Sequence, residues 1–227
     1  MAGRETTRRR SAWLGLVLFI SLVWAVSTAQ ASPLPLNLGV KFAEAWTPAG
    51  DPLWLNATFV DSSVDDQVTL TLTATNLTND EFVFVWMLNL DPAYAATDLD
   101  FSGPSTVAGS FATPAVSTAT NGYQADGDGF FDIKIVFSTS NGVDARFGVD
   151  DAVAYTITYT PGGDVLTAQS FNFLSWEDGG QGEYKSAAHI GAIGPTDDDS
   201  GWVTTPEPAT IILMGLGILG LLRKRKA

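Results

Sequence analysis

The body of this chain, residues 32–204, is predicted to be all-β, an antiparallel β-sandwich or jelly-roll-like domain. Three observations lead to that fold class. Apolar and polar side chains alternate with a period of two, which is typical of strands with one face in water. Clusters of Gly, Asn and Asp separate several of the candidate strands. No segment of the body carries the apolar face of an amphipathic helix.

Two neighbouring segments show the strand pattern most clearly. Residues 68–74 alternate apolar side chains with threonine, which predicts a half-buried strand. Residues 82–88 are almost continuously apolar, as in a strand inside a sheet. Residues 76–80 provide the turn between them. Further strands are predicted at residues 38–45, 53–60, 130–137, 152–159 and 169–174.

Two longer stretches of the body show no regular pattern. Residues 92–118 and 177–204 are predicted to be irregular excursions from the sheets. Excursions of this length often carry binding residues.

The N-terminus has the parts of a secretory signal peptide. Three arginines at residues 8–10 precede an apolar stretch at residues 13–26. Ala29 and Ala31 then form a small-residue cleavage site. We therefore predict a signal helix within residues 1–31 and a mature protein that begins at Ser32.

The C-terminus has the parts of a short membrane anchor. Pro206, Glu207 and Pro208 form an extended segment, because proline fixes φ and lacks an amide donor. The apolar run at residues 209–222 would rise about 21 Å as a helix, which is less than the roughly 30 Å of a hydrocarbon core. A cationic cluster follows and places the C-terminus in the cytoplasm by the positive-inside rule. Its members are Arg223, Lys224, Arg225 and Lys226.

Residues 205–227 resemble the PEP-CTERM sorting signal in the order of these parts: proline motif, short apolar helix, basic cluster. Thr205 departs from the pattern, since an aliphatic residue is frequent there. The resemblance implies export across the inner membrane of Gram-negative bacteria and processing by an exosortase. It also implies an inner-membrane anchor with the body in the periplasm, followed by transfer to the cell surface or the extracellular matrix.

The body is strongly acidic. Residues 32–208 contain 24 Asp and Glu but 4 Lys and Arg, a net charge of −20 against −13 for the whole chain. That charge excludes nucleic acid as a partner, because a phosphate backbone requires the opposite sign. It suits solubility, cation capture and a hydrated polysaccharide layer. The chain has no cysteine, so disulfides do not stabilise the body.

One acidic motif is a candidate calcium site. Asp126, Asp128 and Asp132 are spaced with a glycine after each of the first two, so their carboxylates could converge on Ca²⁺. No Glu closes the loop as in an EF-hand, and the alternative is a simple turn before a strand. Residues 150–151 and 197–199 are further acidic pairs and runs, which we expect to be solvated loops.

A second candidate site lies around a glycine-rich loop. Trp176 and Tyr184 stand beside Glu177 and Glu183. This arrangement could serve as a sugar-binding platform or as an enzyme cleft with two carboxylates, and the third alternative is a turn with packed aromatic rings. His189 is the only histidine and has no G-x-S-x-G nucleophile setting, so we expect it to be structural.

The sequence therefore predicts an exported protein of the cell surface or exopolysaccharide matrix, structural or adhesive rather than catalytic. A carbohydrate-binding module is the first alternative, and an enzyme acting on polysaccharide is the second. The expected partners are an exosortase-type enzyme, the inner membrane and exopolysaccharide, with Ca²⁺ as a possible bound ion.

Overall fold

A computed structural model describes residues 32–42, 46–142, 145–161, 165–177 and 183–206 of this chain. The chain divides into two compact units, Met1–Gln30 and Ala31–Ala227, and every described residue belongs to the second. The predicted signal peptide and the predicted anchor at residues 209–222 lie outside the described residues. Within the described ranges, no helix is both long enough and apolar enough to span a bilayer.

The described residues form two antiparallel sheets. The first sheet has five strands in the spatial order β1 (Leu34–Leu38), β3 (Leu55–Asp61), β4 (Gln67–Ala74), β10 (Ala152–Tyr159) and β6 (Leu99–Ala108). The second has six in the order β2 (Val40–Phe42), β12 (Asp199–Thr204), β11 (Ser186–Ile193), β5 (Phe82–Leu88), β8 (Asp128–Val136) and β7 (Ala115–Ala125). A seventh, two-residue strand, β9 (Phe147–Gly148), also pairs with β5. Two short 3₁₀ helices lie at Ala96–Asp98 and Ala168–Phe171.

Both sheets contribute to one hydrophobic core. Leu70 in β4 and Phe59 in β3 come from the first sheet, and Trp86 in β5 and Ile133 in β8 come from the second; all four are fully buried. Each such side chain stabilises the fold by about 1.5–3 kcal/mol through removal of apolar surface from water. The all-β, sandwich-like prediction is thus confirmed.

The strands predicted at residues 53–60, 68–74, 82–88, 130–137 and 152–159 are confirmed to within a few residues as β3, β4, β5, β8 and β10. The strand predicted at residues 169–174 is wrong, because a 3₁₀ helix occupies Ala168–Phe171. Thr167 and Ser170 cap that helix reciprocally, and Asp61 Oδ1 accepts a hydrogen bond from its first amide, Ala168 N, at 2.5 Å. Of the strand predicted at residues 38–45, Leu38 belongs to β1 and Val40–Phe42 form β2, and residues 43–45 lie outside the described residues.

Three strands, β6, β11 and β12, lie in the two stretches that the sequence predicts to be irregular, and a fourth, β7, begins there. β6 and β7 are edge strands of their sheets and are largely exposed, so their side chains need no apolar alternation. β11 is mostly buried and β12 is half-buried, but much of β11 is Ala and Gly. Small residues give a weak hydrophobic period, which explains why the pattern did not reveal these strands.

Buried carboxylates hold several loops to the sandwich. Asp151 and Glu81 are both buried and accept hydrogen bonds from backbone amides. The expectation that Asp151 is solvated is therefore wrong. Such bonds to a charged acceptor contribute about 1.5–3 kcal/mol each. The donors are Ser110 N and Gly148 N for Asp151, and Ala49 N and Thr78 N for Glu81.

Candidate functional site

A cleft of about 570 Å³ opens at the end of the second sheet where β5 ends and where β8 and β11 begin. Its walls come from residues 90–94 after β5, residues 120–121 in β7, Asp132 in β8, and residues 172–177 together with Glu183. The antiparallel order of β11, β5, β8 and β7 brings these segments to the same end of the sheet.

A large bulge in β7 forms one side of the cleft. Thr118 pairs with Ile133 and Tyr123 pairs with Phe131, so four residues of β7 stand opposite Asp132 alone. The bulge carries Asn121, whose φ of 49° lies in the left-handed region that asparagine tolerates better than most residues. Bulges of this kind redirect side chains at the rim of a sheet, and here the bulge brings residues 120–121 to the cleft.

Asp132 joins the two sides of the cleft. Its carboxylate is 8% exposed. Oδ1 accepts a hydrogen bond from Asn121 N in the bulge at 2.8 Å, and Oδ2 accepts one from Leu90 N after β5 at 2.9 Å. Both oxygens are thus committed to backbone amides, and the residue positions two walls of the cleft.

The structure does not bring the three predicted calcium ligands together. Asp126 is exposed at the turn, with φ of 53°, whereas Asp132 binds the two amides described above. Across the described ranges, no group of three His, Cys, Asp or Glu side chains is placed to hold a metal ion. The geometry fits the alternative prediction, a turn between β7 and β8. Gly127 in the turn and Gly129 near the start of β8 also have positive φ.

Asp128, the first residue of β8 after this turn, has an unusual environment. It is 3% exposed, and neither carboxylate oxygen has a hydrogen-bond partner within the described part of the chain. A buried carboxylate without partners is energetically costly. The effect of this carboxylate on stability can therefore be measured by substituting Asp128 and by titrating the wild-type chain with calcium.

Trp176 stands at the mouth of the cleft. Its backbone pairs with Phe130 of β8 through two hydrogen bonds, Phe130 N to Trp176 O at 2.8 Å and Trp176 N to Phe130 O at 2.9 Å. The side chain is 67% exposed and lines the cleft. A backbone fixed by β8 thus presents an open aromatic surface at the cleft. The sugar platform itself stays a prediction.

Tyr184 does not form the other half, and that prediction is wrong. The residue is 5% exposed and packs against Met87, Phe131 and Ala187 in a small second core. Its carbonyl accepts a hydrogen bond from Ser175 N at 2.8 Å. A ring buried in this way cannot stack on a sugar.

Tyr94 lines the cleft and was not identified from the sequence. Its hydroxyl donates to Val165 O at 2.9 Å, and its ring packs edge-on against Tyr159 at 5.0 Å. The signal that could have found it is its place in the irregular stretch of residues 92–118, where binding residues were expected.

The polar residues of the cleft are acidic or neutral. Glu177 and Glu183 both line the cleft and are exposed. Asn121 and Asn172 add amide groups. None of the described lining residues is Lys, Arg or His. Aromatic surface with carboxylates and amides provides stacking together with acceptors for hydroxyl or amino groups.

His189 lies elsewhere, on β11, and does not line the cleft. Its ring stacks on Trp202 at a centroid distance of 4.8 Å and an angle of 4°, and packs edge-on against Phe84 at 4.9 Å. Burial lowers the pKa of His189, and the negative charge of Asp126 partly opposes that shift.

The sorting segment leaves the body at the cleft end of the second sheet, because Thr204, the last residue of β12, pairs with Ala187 near the start of β11. Pro206 is the last described residue. The other predicted targeting residues lie outside the described ranges: Glu207, Pro208, the cluster Arg223, Lys224, Arg225 and Lys226, and Ala29 and Ala31 at the predicted signal cleavage site.

Comparison with protein families matches residues 204–226 to the PEP-CTERM protein-sorting motif. The resemblance predicted for the tail is thus confirmed. No curated protein and no solved structure matches the chain.

Proposed function

We propose a function from one premise: this chain carries the PEP-CTERM protein-sorting motif, which implies export, membrane-anchored sorting and processing by an exosortase-type enzyme. In this proposal, the protein is a structural and adhesive component of the cell surface or of the exopolysaccharide matrix. Its β-sandwich body adheres by binding glycan in the cleft described above. The carbohydrate-binding alternative is in this way the means of adhesion.

The observation that carries the proposal is the placement of Trp176. Sugar rings have apolar C–H faces that stack on open aromatic rings, and polar groups around them fix the orientation. Trp176 is exposed on a backbone fixed by β8, and Tyr94 and Asn121 stand around the same cleft. The volume of about 570 Å³ is in the range of small-ligand sites, about 300–1,000 Å³.

We also propose that the protein is not a glycoside hydrolase. That chemistry requires one carboxyl group kept protonated by an apolar environment and a second one facing it. In this cleft Glu177 and Glu183 are exposed to water, and both oxygens of Asp132 accept amide hydrogen bonds. Two exposed carboxylates and a third one already hydrogen-bonded to amides are better suited to binding a sugar than to cleaving it.

The test is a cell-fractionation assay of the full chain, produced in cells that make exopolysaccharide. Cells, inner membranes and shed matrix are separated, and the protein in each fraction is quantified beside the chain with Glu207→Ala. The proposal expects wild-type protein in the surface or matrix fraction and retention of the variant in the inner membrane. Wild-type protein confined to the cytosol, or new reducing ends released from the matrix by purified protein, would refute it.

A further inference from the structure

From the charges that line the cleft, we infer that it selects glycans with free amino groups, such as glucosamine units, over glycans of uronic acids. The inference rests on the proposed glycan binding and names the chemical class of its ligand. Three features of the cleft carry it: its carboxylates, the placement of the basic residues, and the exposed indole.

The first feature is the set of three carboxylates that line the cleft. Glu177 and Glu183 line the cleft and are exposed, so their charges are available to a ligand. Asp132 adds a third negative charge to the same wall, although its oxygens are already hydrogen-bonded. A uronate group entering here meets like charge, whereas an ammonium group meets opposite charge.

The basic residues that could reverse this preference lie away from the lining or are already engaged. The ammonium of Lys134 lies over the Tyr123 ring at 4.7 Å, and the guanidinium of Arg146 lies over the Phe82 ring at 3.9 Å. Lys185 contacts one residue of the lining. Its Nζ donates to Oδ1 of the lining residue Asn172 at 2.5 Å, but Lys185 itself does not line the cleft.

The exposed indole of Trp176 acts in the same direction. An amino sugar can place its ring against the indole and its ammonium group within reach of the negative face of the ring system. The same residue that supplies stacking for any sugar therefore adds attraction for a cationic one. The acidic body, with a net charge of −20 over residues 32–208, extends this preference to the approach of the ligand.

The experiment uses the full chain in detergent and three soluble oligosaccharides of equal length: glucosamine, N-acetylglucosamine and galacturonate oligomers. Titration calorimetry is performed at a pH at which the glucosamine amines are protonated, and at low and high salt. We expect the glucosamine oligomer to bind tightest and the galacturonate oligomer weakest, with a gap on the order of tenfold or more. High salt should narrow that gap.

Two double variants and one single variant test whether the oligomers bind in the cleft. The double variant Glu177→Gln, Glu183→Gln should lose about tenfold in affinity for the glucosamine oligomer while its affinity for the N-acetylated oligomer stays the same. The matched control removes two exposed carboxylates that do not line the cleft, Asp51→Asn and Asp80→Asn, and should leave the preference unchanged. Separately, Trp176→Ala should weaken binding of all three oligomers.

The outcomes separate this inference from the proposed function. If galacturonate binds as tightly as glucosamine, or if the Glu177→Gln, Glu183→Gln variant keeps the full preference, the inference is wrong while glycan binding stands. If none of the three oligomers binds, glycan binding in the cleft fails, and the inference fails with it. A loss of preference in the control variant would assign the effect to net charge and would also overturn the inference.

Discussion

Replacement of Asp132 tests whether one carboxylate holds the cleft together. In the variant Asp132→Ala, two backbone amides lose their acceptor: Leu90 N at 2.9 Å and Asn121 N at 2.8 Å. The first of these bonds is buried and the second is partly buried. The two amides therefore differ in how easily water can replace the carboxylate.

The magnitude follows from that difference. A hydrogen bond to a charged group contributes about 1.5–3 kcal/mol, and a buried donor left without a partner costs about 1–3 kcal/mol. Leu90 N should bear most of this cost, while Asn121 N can be hydrated in part. We expect a total destabilisation of about 3–4 kcal/mol, which at about 2–4 °C per kcal/mol lowers the melting temperature by roughly 10 °C.

The assay is thermal and urea unfolding of the full chain, followed by near-ultraviolet circular dichroism. The conservative variant Asp132→Asn keeps one acceptor oxygen, so it should lose about half as much stability. The control Asp80→Asn removes an exposed carboxylate and should remain within about 0.5 kcal/mol of the wild type. If Asp132→Ala melts together with the wild type, the two amides do not depend on this carboxylate and the reasoning is wrong.

Three further predictions concern the turn after β7, the histidine and a tight glycine. In the presence of a chelator, Asp128→Asn should raise the free energy of unfolding by about 1–3 kcal/mol, because an uncharged amide replaces a buried carboxylate without partners. Thermal melts of the wild type at increasing calcium concentration test the calcium hypothesis, and an unchanged melting temperature would reject it. Because the folded-state pKa of His189 is lowered below 6.5, the unfolded chain binds more protons between that lowered value and 6.5. Stability should therefore fall as pH decreases through this window, and a pH series of urea melts with His189→Gln should lack that component. Gly50→Ala should cost about 1–3 kcal/mol in the same urea assay, since its new Cβ would overlap the carbonyl oxygen of Asn76.

The strands that could be predicted from sequence are those whose burial follows from their own side chains. In β4 the alternating Leu and Thr residues coincide with alternating burial. In β6, Gly103 and Pro104 interrupt a strand that is exposed along most of its length, and only the partner strand β10 defines it. An edge strand of this kind is specified by backbone pairing, which leaves little trace in hydrophobicity.

The site was predictable in part for the same reason. Trp176 and the two glutamates were found because they are close in sequence. The environments of Tyr184 and Asp132 depend on residues distant in sequence. Tyr184 packs in a core with Met87, and Asp132 accepts a hydrogen bond from an amide 42 residues away. Local spacing suggested a calcium ligand at Asp132, whereas the three-dimensional partners make it a positioning residue.

The most direct test of this account measures binding of the purified full chain to exopolysaccharide shed by the cells that produce it. Trp176→Ala is compared with Trp46→Ala, which removes another exposed indole, one at 52% exposure that does not line the cleft. We expect Trp176→Ala to weaken binding by about tenfold or more, a loss of at least about 1.4 kcal/mol, and Trp46→Ala to bind like the wild type. Equal binding by both variants and the wild type would contradict adhesion through the cleft.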